Sequence, residues 1–91
     1  MDMKKELLRR VTVSLPEGER PEFVITNRTT FVVKGATLET PMSGDLNSYV
    51  LHVYGYRKQN PRGGWYNEQT FTNKTSLPRE LHELFKAMMV A

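Results

Sequence analysis

Cysteine is absent from the chain, which excludes a disulfide framework and a thiolate metal site and fits a reducing compartment. Long apolar runs are absent too. Met1 to Arg10 offers only Leu7 and Leu8 as an apolar patch, far short of a secretory signal, and no later stretch approaches a membrane span. The expectation is a cytoplasmic protein, neither exported by that route nor embedded in a membrane. Without a signal segment, the sequons Asn27-Arg28-Thr29 and Asn73-Lys74-Thr75 read as chance matches.

Histidine is scarce, with only His52 and His82. Nucleophile elbow, phosphate-binding loop, HExxH pair and other metal-ligand spacings are all missing. These absences point away from an enzyme and away from a metal or organic cofactor.

What remains is a chain of 91 residues, enough for one hydrophobic core and too short for two, so residues 1–91 are read as a single domain. Apolar residues make up 38% and charged residues 25%. With plentiful aromatic and β-branched side chains, that composition folds rather than staying disordered. The formal net charge of +3 is too small to announce a nucleic-acid binder, but its distribution is uneven. Residues 49–79 carry Arg57, Lys58, Arg62, Lys74 and Arg79 against Glu68 alone, whereas residues 11–22 carry Arg20 against Glu17, Glu19 and Glu22. Positive charge concentrated in one region steers anionic partners toward it.

Helix formers with Met3 and Leu7 at a four-residue spacing predict a short helix over Asp2 to Arg10. Val11, Val13 and Leu15 alternate with Thr12 and Ser14 as in a half-buried strand, which Pro16 ends. The acidic loop from Pro16 to Pro21, with two prolines and a glycine, is expected to reverse the chain. Phe23 to Thr26 and Thr29 to Lys34 read as strands. Gly35 marks a bulge or turn before Ala36 to Thr40 continues in β geometry.

Ser48 to Lys58 is the strongest strand signal. Tyr49, Leu51, Val53 and Gly55 fall on one face and Val50, His52, Tyr54 and Tyr56 on the other, so both faces want cover and the strand is central. Turn chemistry at Gln59 to Gly64 predicts an antiparallel hairpin with Trp65 to Thr72. The last element is a helix from about Ser76 to Val90, capped by Thr75 or Ser76, in which Leu77, Leu81, Leu84, Phe85 and Met88 fall at offsets 0, 4, 7, 8 and 11. The fold class that follows is α+β: an antiparallel sheet of four to five strands packed by a C-terminal helix, with a short N-terminal helix at an edge.

The residues that point to function are the basic, aromatic hairpin: Tyr54, Tyr56, Arg57, Lys58, Arg62, Trp65 and Tyr66, with His52 beside them. Aromatic faces stack on bases while Arg and Lys hold phosphates. The same rings equally serve as cross-strand packing partners, and the same cations as a solvated loop. The leading expectation is a small non-enzymatic binding module acting on nucleic acid, or on a protein that processes it, through this hairpin. The alternative is a protein–protein inhibitor or adaptor, of the phage or mobile-element type, that contacts a host protein by the hairpin or by the loop at Glu17 to Glu22, since Trp, Tyr and Arg also dominate protein interfaces. A weaker reading sets His52, Glu68 and Arg57 as acid, base and cation of a small ribonuclease-like site. At the C-terminus, Met88 belongs to the apolar stripe, while Met89 and Val90 either finish the core or form a docking surface.

Overall fold

The computed structural model describes residues 7–26, 29–43, 46–58 and 67–90. Strands Leu8–Ser14 (β1), Glu22–Thr26 (β2), Thr29–Pro41 (β3), Val50–Arg57 (β4) and Asn67–Thr72 (β5) form one antiparallel sheet, followed by the helix His82–Met89 (α1). β4 lies between β3 and β5, as its two well-filled faces require. No helix among the described residues is long and apolar enough to cross a membrane.

Two expectations about the N-terminal third need correction. Residues 2–6 of the expected first helix lie outside the described residues, and Leu8, Arg9 and Arg10 belong to β1, where they pair with Pro41, Thr40 and Glu39. A helix of nine residues is marginal by itself, whereas the long third strand supplies a row of ladder partners. Nor does the acidic loop reverse the chain. β1 and β2 both run antiparallel to β3, β1 along residues 35–41 and β2 along residues 29–32. They form one edge strand interrupted by an excursion. Leu15 N donates to Lys34 O at 2.9 Å where the chain leaves β3, and Val33 N donates to Pro21 O at 3.0 Å where it returns. Pro16 and Pro21 bound this excursion because neither can donate to a ladder.

β3 carries a bulge at the same place. Val33 pairs with Gly55 and Gly35 with Tyr54, leaving Lys34 as the extra residue. The alternation changes parity across it: Phe31 and Val33 face the core before Lys34, Ala36 and Leu38 after it. The expected bulge is therefore present, one residue earlier than Gly35, and the strand continues through it.

One face of the sheet is covered by the C-terminal segment. Phe31, Val33, Ala36, Leu38, Leu51 and Val53 are buried there with Leu81 and Met88, and Leu77, Leu84, Phe85 and Met89 pack against them. The apolar stripe is as the sequence predicts, and Met89 joins the packing. The helix itself is shorter than expected. Leu77 precedes Pro78 and so avoids helical geometry; a 3-10 turn spans Arg79–Leu81 and α1 begins at His82. Thr75 closes a turn instead of capping the helix, its Oγ1 accepting from Thr72 N at 2.8 Å. The sheet curls around this core until Phe23 on β2 and Phe71 on β5 meet with ring centroids 5.8 Å apart. Gly55 makes room at the centre, since a Cβ there would stand 1.8 Å from Val32 O and 3.1 Å from the Phe31 ring.

Candidate functional site

The other face of the sheet is not covered by the helix. Strand alternation brings Arg10, Thr12 and Ser14 of β1, Thr37 and Glu39 of β3, His52, Tyr54 and Tyr56 of β4, and Glu68 and Thr70 of β5 to this side. Direct and diagonal cross-strand neighbours on one face lie within side-chain reach, and here they form a polar layer. Arg10 Nε donates to Glu39 Oε2 at 2.6 Å, and Glu39 Oε1 lies 3.8 Å from His52 Nε2. On the far side of the ring, His52 Nδ1 donates to Glu68 Oε2 at 2.6 Å, with Thr70 Oγ1 at 3.4 Å from the same nitrogen. Thr12 and Thr37 join hydroxyls at 2.9 Å, and the Tyr54 hydroxyl donates to Thr37 Oγ1 at 3.2 Å.

Within this layer the Arg10 guanidinium stands among two carboxylates, Glu39 and Glu68. The Arg10 guanidinium holds the Glu39 carboxyl below the usual carboxylate range; partial burial works against this, and the Arg10 charge and His52 add to it. His52 and Glu68 are thus brought together, as the ribonuclease-like reading requires. Arg57 is not. It pairs with Phe31, whose ring is in the helix-side core, so the alternation assigns it to the opposite side of the sheet from His52. With carboxylates on both sides of the imidazole, the layer has no surplus cation among the described residues to stabilise a phosphorane. Among the described residues, no group of three or more His, Asp or Glu side chains could hold a metal ion.

The aromatic end of the face is built differently. Tyr54 stands opposite Gly35, so its ring extends along β3 where no side chain competes for the space. Val32 is buried on this face yet stands apart from the helix-side core, with Glu22 and Tyr56 as its cross-strand partners. Above it, Lys58 Nζ reaches Glu22 Oε1 at 3.2 Å, so the lysine stem and the Tyr56 ring shield the valine. Tyr54 and Tyr56 are both half-buried.

The predicted hairpin residues are therefore divided. Tyr54, Tyr56 and Lys58 gather at one end of the uncovered face; Arg57 falls on the other alternation; Arg62, Trp65 and Tyr66 lie outside the described residues. Sequence reasoning missed Arg10, Thr12, Thr37 and Glu39 as members of this surface. Their alternation along β1 and β3 was a usable signal, but the parity change at Lys34 hides which residues of β3 share a face with His52. Comparison of the chain with known protein families, with curated proteins and with solved structures finds no match.

Proposed function

We propose that the protein is a non-enzymatic binding module that holds nucleic acid on the uncovered face of its sheet. The observation that carries this reading is the pair Tyr54 and Tyr56, two residues apart on the central strand and both half-buried on this face. Rings held in place by Thr37 and Val32 lose little further freedom when a base stacks on them, which is the advantage of a preorganised site. In the sequence the cations Arg57, Lys58 and Arg62 follow these rings. Lys58 shares their end of the face and Arg57 follows on the other alternation, so side chains that position phosphates stand near rings that stack. An open sheet face offers such rings to unpaired bases, whereas a duplex keeps its bases stacked inside; single strands are the preferred class.

Fluorescence anisotropy with labelled mixed-sequence single-stranded and duplex oligonucleotides across a salt series tests this. Binding to the single strand is expected to weaken with salt. Replacing Arg57, Lys58 and Arg62 together by alanine is expected to lower the slope of log affinity against log salt by about 2. Tyr56→Ala, in protein shown to remain folded, costs about 1 to 3 kcal/mol of binding with the slope unchanged. Affinity weaker than about 100 μM for both oligonucleotides at low salt removes the reading, because even non-specific binders reach that range.

A further inference from the structure

The excursion between β1 and β2 leans toward the start of α1, and the two border an open groove of about 460 Å³. This loop is internally braced. Glu19 N donates to Pro16 O at 3.1 Å, Gly18 takes the left-handed φ of 99° that the turn needs, and Arg20 Nε donates to Leu15 O at 2.9 Å. Leu15, Pro21 and Leu84 line the groove, and the acidic residues Glu19, Glu80 and Glu83 stand beside them.

Its charge runs against that of the molecule. The chain is basic overall, with a net charge of +3, yet three glutamates are among the groove's lining residues against the single arginine Arg20, whose Nε is already committed to the loop backbone. Glu83 also faces Lys86 at 3.9 Å, but both side chains are largely exposed, and such a pair holds its charges weakly. Carboxylates only accept hydrogen bonds, so the groove calls for donors with positive charge. A bare ion would gain nothing from Leu15 and Leu84, and a nucleic acid would be repelled. Lysine and arginine meet both demands, laying an aliphatic stem on apolar surface while the head reaches a carboxylate.

We propose that this groove docks a basic segment of a partner protein, with one Lys or Arg stem resting on Leu15 and Leu84 and cationic heads on Glu19, Glu80 and Glu83. The proposal is independent of the reading of the open sheet face. It makes the module two-sided, with the aromatic sheet face on one side and a cation-binding groove beside the helix.

The test uses the full chain and a fluorescein-labelled nine-residue peptide of alternating Arg and Leu, with a Glu-for-Arg peptide as control. Amide shifts in heteronuclear NMR map the site, and anisotropy gives the affinity. The Arg peptide is expected to bind with shifts concentrated at residues 15–21 and 80–84, and the Glu peptide not to bind. The double variant Glu80→Gln, Glu83→Gln removes charge at exposed positions without touching the core, and is expected to lose about fivefold in affinity. Glu68→Gln, on the other face of the sheet, loses nothing. Shifts elsewhere, or undiminished affinity in the double variant, overturn the proposal. So does complete displacement of the peptide by equimolar spermine, which would assign the groove to free polyamines, or loss of the free groove through concentration-dependent self-association in sedimentation.

Discussion

The two faces of the sheet are made by alternate residues of the same strands, yet different forces hold them. On the helix side, Phe31, Val33, Leu51, Val53 and Leu81 lose all contact with solvent, and their stabilisation grows with apolar area at about 25 cal/mol per Å². On the open side, Thr12, Thr37, Glu39, His52 and Tyr54 are held by individual hydrogen bonds and ion pairs, each worth about 1 kcal/mol or less where water competes. Stability is therefore concentrated on one face. The other can carry a function because little of the fold depends on any one of its side chains.

That contrast can be broken most sharply at Leu81, which is fully buried against the sheet. Leu81→Ala is expected to destabilise the protein by about 2 to 5 kcal/mol in denaturant melts; a loss under about 1 kcal/mol would mean that the C-terminal segment contributes little to the core. Tyr54→Phe removes only the hydroxyl that donates to Thr37, and about 1 kcal/mol is expected. A loss matching that of Leu81→Ala would erase the distinction between the faces.

The smallest effect is at Glu39, and it depends on pH. Because Arg10 holds its folded-state pKa below the ordinary value, folding favours the ionised carboxylate. Its contribution is complete above the unfolded pKa of about 4.3 and is lost as pH falls through the folded value. Wild type is expected to exceed Glu39→Gln by about 0.5 kcal/mol at pH 7, with the gap closing in melts as pH falls below the ordinary carboxylate range. A gap that persists in acid would show that the carboxylate's charge is not what matters.

Legibility followed the range of the interaction. The apolar stripe Leu77, Leu81, Leu84, Phe85 and Met88 and the strand at Val50–Arg57 were readable because burial imposes a period that composition reveals. The helix start was misread: Ser76 and Thr75 are good caps by residue type, but Pro78 restricts Leu77 and delays the helix. His52 and Glu68 could be suspected as partners, yet their 2.6 Å contact follows from a hairpin register whose connecting turn gives no exact pairing.

By itself, the amino-acid sequence determined that the chain lacks disulfides, that its C-terminal segment covers apolar surface, that β structure dominates, and that cations cluster after Tyr56. Tertiary structure alone decided that β1 and β2 share one edge of β3, that Glu39 meets Arg10 and His52, and that Arg57 parts from Tyr56. The reason lies in the extra residue at Lys34 and in the register of β3 with its neighbours. A period of two identifies the two faces of a strand locally, but a bulge exchanges them, and only the pairing of distant strands fixes which side chains share a surface.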